Sequence, residues 1–169
     1  MQFCVIGSGS SGNCSVLRTA GGLVLIDAGF GPRRVAQHLK AHGHSLVDVQ
    51  AILLTHFDHD HFKSSWARSM ALHEITLYCH DSHIHRLRMR LAETMSHGDL
   101  SGFMMSGRVQ AFEALRFTLP LQHDRTMHVQ PIALPHDELG TYGFRIEHGG
   151  ARLGFATDLG DVPEGLIQQ

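Results

Sequence analysis

Cysteine is scarce in this chain: Cys4, Cys14 and Cys79 are the three thiols in 169 residues. An odd, sparse set with no metal-ligand spacing excludes a disulfide framework, and is what reduced thiols in a cytoplasmic protein look like. Lysine is scarcer still. Twelve of the 14 cations are arginine, and a net charge of −2 excludes any global electrostatic drive toward nucleic acid. No apolar stretch approaches the length of a membrane span, and no basic-then-apolar leader is present, so no membrane partner is expected. Repeats, low-complexity tracts and an interdomain linker are missing too. What is left is a globular composition, 43% hydrophobic and 18% charged, long enough for one domain over residues 1–169 with a real core.

Histidine, by contrast, is abundant, with 15 in the chain. Three of them fall in Thr55-His56-Phe57-Asp58-His59-Asp60-His61, beside two carboxylates and directly after the apolar run Ala51–Leu54. A buried strand therefore ends in a loop crowded with metal-ligand side chains, and folding alone calls for no such crowd. Imidazole with carboxylate suits Zn²⁺ and neighbouring divalent ions, and such a set can divide between two ions about 3.5–4 Å apart. The competing account is a solvated His/Asp loop in a histidine-rich chain. His59 blurs the register, because it could itself be a ligand.

The rest of the pattern is mixed. Strands are expected at Met1–Ile6, Cys14–Arg18 and Leu23–Ile26, with Gly7–Asn13 and Ala20–Gly22 as turns. A helix begins at Pro32 and ends near Gly43. A strand at Ala51–Leu54 enters the His/Asp loop, and helical spacing covers Phe62–His73. Ile75–Cys79 reads as a strand, with Asp81 as N-cap of a helix to about Glu93. Residues 94–107 turn to Ser, Gly and Met, which suggests a loop or lid. Arg108–Leu119, Met127–Leu134, Tyr142–Glu147 and Arg152–Ala156 read as strands, the last two joined by a hairpin at His148-Gly149-Gly150. Hairpins followed by strands mixed with helices predict an α/β sandwich with helices outside. The helix opening at Gly165–Gln169 has a single turn and no cap, so the chain is expected to stop short of its last elements.

Other candidates carry two readings each. Asp27 closes an apolar strand; it is either a buried group that orients the His/Asp loop or a turn cap. The Gly/Ser turn 7–13 is either a plain turn or a backbone nest for phosphate, with Ser8, Ser10 and Asn13 as the candidate phosphate contacts, and its Ser or Asn hydrogen bonds could give it a role beside the metal loop. Arg86 and Arg90 share a helix face that is either solvated or phosphate-contacting. Met104 and Met105 fit packing better than substrate contact, and His80, His83 and His85 fit surface histidines better than ligands.

Taken together, Gly-Ser-Gly-Ser-Ser-Gly-Asn at 7–13, Leu25-Ile26-Asp27-Ala28-Gly29, the 55–61 motif, Pro135-His136-Asp137 and Ala156-Thr157-Asp158-Leu159-Gly160 resemble the metallo-β-lactamase fold hydrolases. The bacterial YycJ/WalJ-type branch, regarded as nuclease- or phosphodiesterase-like, is the most similar. The resemblance implies a four-layer αββα sandwich, here incomplete at the C-terminus. It also implies two divalent metals, a bridging hydroxide and a phosphodiester substrate, DNA or RNA among them. By position, His56, Asp60 and His61 fill slots of the family's His-x-His-x-Asp-His, and Asp58 stands where the family has its second histidine. Zinc is the expected metal, and the carboxylate at Asp58 makes manganese or iron more credible. The resemblance puts His136 on the metal of His56 and Asp58, and makes Asp158 a bridge to a second metal held by Asp60 and His61. Asp60 could also accept a proton from the attacking water. A further family histidine has no counterpart within these residues. Two other readings remain open: a non-catalytic metal-binding or interaction domain, and a nucleic-acid-binding module without hydrolysis.

Overall fold

The computed structural model describes residues 1–113, 115–123, 125–135 and 140–159. Three strands, β1 (Gln2–Gly7), β2 (Cys14–Thr19) and β3 (Gly22–Ile26), form an antiparallel meander. From β3 onward the sheet turns parallel through β4 (Val49–Leu53), β5 (Thr76–His80) and β6 (Val109–Phe112), giving the order β1-β2-β3-β4-β5-β6. Parallel neighbours need crossovers. These are helices α1 (Pro32–Ala41), α2 (Trp66–His73), α3 (Ile84–Ala92) and α4 (His97–Met105). A second, antiparallel sheet holds β7 (Phe117–Leu121), β8 (Arg125–Leu134), β9 (Thr141–His148) and β10 (Ala151–Phe155) in the order β10-β9-β8-β7.

Strand alternation assigns the two faces of the first sheet. Leu23, Leu25, Ile52 and Leu54 point to one side, where Val35 and Leu39 of α1, Trp66 and Met70 of α2, and Leu87 and Leu91 of α3 cover them. Val24, Ile26, Ala51 and Leu53 point to the other side and meet Met127, Val129, Phe144 and Ile146 of the second sheet. Strands buried on both faces read as unbroken apolar runs, which is how β3 and β4 stand in the sequence. The fold is a mixed α/β sandwich, and among the described residues its layers run helix, sheet, sheet. The second helical layer that the resemblance implies is not seen among the described residues.

Four expectations need correction. Residues 97–105 are helical rather than a loop or lid: Ser96 caps α4, its Oγ accepting from the Asp99 N–H at 3.2 Å, and Phe103 is buried against the helical core. Small and flexible composition masked a cap with a single buried anchor. The continuous strand expected over 108–119 is two strands in different sheets, β6 and β7, because the chain must leave one layer to begin the other. Helix α2 starts at Trp66 rather than Phe62. Residues 61–63 are bridged to Ala28 in parallel, with Ala28 N–H donating to His61 O at 2.7 Å and Lys63 N–H to Ala28 O at 3.2 Å. Asp81 is not the N-cap: it opens a 3₁₀ turn, 81–83, capped by the His80 ring, which accepts from Ser82 N–H.

Candidate metal centre

Because β3 and β4 are parallel with Ile26 opposite Leu53, both deliver the residues that follow them to one rim. Asp27 turns there with φ 62°, a left-handed conformation that carboxylate residues tolerate better than most. Its side chain is buried, with 1% of the residue exposed. An ionised carboxylate so placed needs partners, and it has three. Oδ1 accepts from Thr55 N–H at 2.9 Å and from Thr55 Oγ1 at 3.0 Å, and Oδ2 lies 2.9 Å from His61 Nδ1.

This network fixes two tautomers. Asp27 accepts, so His61 Nδ1 carries the proton. Thr55 Oγ1 gives its proton to Asp27, so its lone pair accepts from His56 Nδ1–H at 3.0 Å. Both rings then present an unprotonated Nε2 to the same side. Across from them stands Asp158, with Oδ2 3.2 Å from His61 Nε2 and 4.0 Å from His56 Nε2. His56, His61 and Asp158 bring three donor atoms within 4.8 Å of one another, and among the described residues they are the one His/Cys/Asp/Glu group that does so. Asp158 is also left-handed, with φ 52°. Among the described residues, two of the four non-glycine residues with positive φ are thus carboxylates of this rim.

The flanking acids lie close. Asp58 Oδ2 is 3.7 Å from His56 Nε2, and Asp60 Oδ2 is 3.7 Å from His61 Nε2. His59 is exposed and points outward, with its Nδ1 3.6 Å from Asp60 Oδ1. His136 lies outside the described residues. Burial and the neighbouring His61 push the His56 imidazole below its ordinary value. Burial would lower His61 as well, but its hydrogen bond to Asp27 and the charges of Asp27, Asp158 and Asp60 outweigh that and raise it. A divalent ion fits this donor set: two imidazoles with Nδ1 held from behind, and three carboxylates.

The glycine-rich turn lashes the loop down from the side. Asn13 N–H donates to Asp60 O at 2.7 Å, and Gly29 N–H to Asn13 O at 2.9 Å. The Asn13 side-chain amide lies 3.1 Å from Asp60 Oδ2 and 2.9 Å from His61 Nε2. Ser8 and Ser10 are exposed. Gly29 is tightly confined, since a Cβ there would stand 1.7 Å from the Asp60 carbonyl oxygen. The hydrogen bonds of Asn13 meet the expectation that the turn would serve beside the metal loop, whereas the tasks of Thr55 and Gly29 were not read from the sequence. A hydroxyl wedged between an apolar strand and the first histidine was the available signal.

The second histidine-rich segment is built otherwise. His80 stacks on Tyr142 with centroids 4.3 Å apart and sits 2.8 Å from Ser82 Oγ. His83 is fully buried, its Nε2 2.9 Å from Gly140 O, and His85 is exposed. The basic face of α3 reaches the rim. Arg86 Nη1 is 3.9 Å from Asp58 Oδ1, and the Arg90 guanidinium lies 5.9 Å over the Phe57 ring.

A family model described as the beta-lactamase superfamily domain matches residues 23–169. No curated protein matches the chain. Among solved structures, the metallo-beta-lactamase fold protein YhfI from Bacillus subtilis is similar with a TM-score of 0.60 and 17% identity, over 90% of this chain and 59% of that one. A B3 metallo-beta-lactamase with an active-site glutamic acid is similar with a TM-score of 0.58 and 17% identity, over 90% and 57%. The chemotaxis sensor ODP, in a peroxy diiron species, is similar with a TM-score of 0.57 and 18% identity, over 84% and 53%. The chain spans a little over half the length of these neighbours.

Proposed function

The chain belongs to the beta-lactamase superfamily domain family, and from that premise we propose that it is a metal-dependent hydrolase acting on phosphodiesters, with DNA or RNA as the substrate class. The observation that carries the reading is the convergence of His56, His61 and Asp158, with all three donors within 4.8 Å of one another. On the family resemblance, His56, Asp58 and His136 would hold one ion and Asp60 and His61 a second, with Asp158 available to both. Divalent ions held there would lower the pKa of water and polarise a phosphoryl oxygen. Zinc suits the imidazoles, while the oxygen donor at Asp58 leaves manganese and iron credible.

The side chains have distinct tasks. Asp27 and Thr55 hold the two rings in the Nδ1–H tautomer, with Nε2 unprotonated. Asn13 orients Asp60, whose carboxylate accepts the proton released by the attacking water. The choice of a phosphodiester rests on likeness to the YycJ/WalJ-type branch and on Arg86, whose guanidinium stands 3.9 Å from Asp58 where a non-bridging phosphate oxygen could meet it.

The test is turnover of a simple aryl phosphodiester and of single-stranded DNA by protein loaded with Zn²⁺ or Mn²⁺. Metal-dependent cleavage that a chelator abolishes, and that Asp60→Asn lowers by orders of magnitude, is expected. A second reading draws on Asp58 in a histidine slot and on the likeness to a diiron chemotaxis sensor: a metal-binding domain without hydrolysis. Stoichiometric metal binding with no cleavage of any ester, and no effect of Asp60→Asn, would establish that reading instead. DNA binding that survives complete metal removal, without cleavage, would favour a nucleic-acid-binding module.

A further inference from the structure

A second group of soft donors lies on the helical side of the first sheet, away from the rim that carries His56 and His61. Cys4 on the edge strand β1 is exposed, and its Sγ lies 3.9 Å from His38 Nε2. His38 and His42 are four apart at the end of α1, so they share a helix face, and their ring centroids are 4.9 Å apart. Gly43, with φ 78°, ends that helix in a Schellman arrangement: its N–H donates to Lys40 O at 3.1 Å and His44 N–H to Leu39 O at 2.9 Å. That turn brings His44 back to the same place. Cys4, His38, His42 and His44 line one pocket of about 450 Å³. The His44 Nε2 atom is buried there without a hydrogen-bond partner.

We propose that Cys4, His38 and His42, with His44 Nε2 available as a fourth donor, form a separate binding site for a borderline or soft transition ion such as Zn²⁺. The chemistry differs from that of the rim, which offers only imidazole and carboxylate. A thiolate among imidazoles selects zinc or monovalent copper over manganese or magnesium. Tetrahedral bonds of about 2.3 Å to sulfur and about 2.0–2.1 Å to nitrogen put the two donors about 3.5 Å apart. The observed 3.9 Å between Cys4 and His38 is within a small side-chain adjustment of that value. As they stand the donors are not within 4.8 Å of one another as a set of three, so binding requires the exposed His42 and its neighbours to turn toward the ion. Binding converts the Cys4 thiol to thiolate and releases one proton to solvent.

Cobalt(II) reports the site directly, because a thiolate ligand adds a sulfur-to-cobalt charge-transfer band that imidazole and carboxylate cannot give. Cys14 and Cys79 are buried, so Cys4 is the thiol open to the ion. Titration of the full chain should produce this band. Cys4→Ser should abolish it, and His38→Ala should weaken the binding that produces it at least about tenfold. The band should persist in a His56→Ala/His61→Ala variant. Should that double variant fail to fold, protection of Cys4 from alkylation by Zn²⁺ in the unaltered chain gives the same answer. Cobalt bound without the band, a band that survives Cys4→Ser, or one indifferent to His38→Ala would overturn the proposal.

Discussion

Two neighbouring parallel strands each end in a cluster of imidazoles, and among the described residues only the first of the two brings three metal-type donors together. After β4 come His56, His59 and His61; at the end of β5 and just beyond it come His80, His83 and His85. The first set meets Asp27 from behind and Asp158 from the front, so two rings are held by Nδ1 and present Nε2 together. In the second set His80 is spent on an aromatic stack and a cap, and His83 on a backbone carbonyl. Histidine content does not make a metal centre. What distinguishes the first set is the carboxylates delivered to it by other segments, which fix the tautomer and supply charge.

The largest effect should separate the two clusters outright. His61→Ala should reduce bound metal and any hydrolysis by orders of magnitude. His83→Ala should leave metal content unchanged and cost about 1–3 kcal/mol of stability, because it strands the Gly140 carbonyl. Metal analysis and denaturant midpoints on both variants decide it, and loss of metal from His83→Ala would collapse the distinction.

Next comes the carboxylate behind the ring. Asp27→Asn keeps the shape but offers an amide to His61 Nδ1, so metal affinity should fall about 10- to 100-fold. A competition titration against a chelating dye measures it; unchanged affinity would show that the tautomer is set elsewhere.

Smaller again is the lashing of the loop. Gly29→Ala drives a methyl into the Asp60 carbonyl and should cost about 1–3 kcal/mol, with weaker metal binding. Gly98→Ala, in open space on α4, should be neutral or gain up to about 1 kcal/mol. Equal thermal midpoints for the two variants would contradict the close approach at Gly29.

The smallest effect is in pH. His61 is raised in the folded, metal-free chain, so its contribution is present below the ordinary value of 6.5 and is lost as pH rises through the folded value. His56 is lowered, so its contribution is present above 6.5 and is lost as pH falls. His61→Gln should therefore cost more stability near about pH 6 than near about pH 8, and His56→Gln the reverse. Urea midpoints of the metal-free variants that shift in the same sense would refute the opposed environments.

Much of this was legible in one dimension. The apolar run before Thr55 and the turn residues around the early strands follow local rules of alternation and turn chemistry, so β2, β3 and β4 and the Gly149-Gly150 hairpin are readable within a residue or two. Helix α4 was not readable, because its weakly patterned Ser, Gly and Met sequence is held by one cap and by packing of Phe103. The division of 108–119 between two sheets was hidden for a similar reason: both halves are strand-like, and only the layer they pack into differs.

The sequence by itself determined that His56 and His61 would stand on one loop after a buried strand, since five residues of spacing and an apolar run are local facts. It also determined that Asp58, not histidine, would stand between them. Only the tertiary structure decided which distant carboxylates those rings meet. Asp27 lies 34 positions from His61 yet touches it at 2.9 Å, because β3 and β4 pair in parallel register and end at one rim. Asp158 arrives from beyond the second sheet, and Asn13 from the turn before β2. Such meetings depend on register and layer packing summed over the whole sandwich, which no short stretch of sequence records.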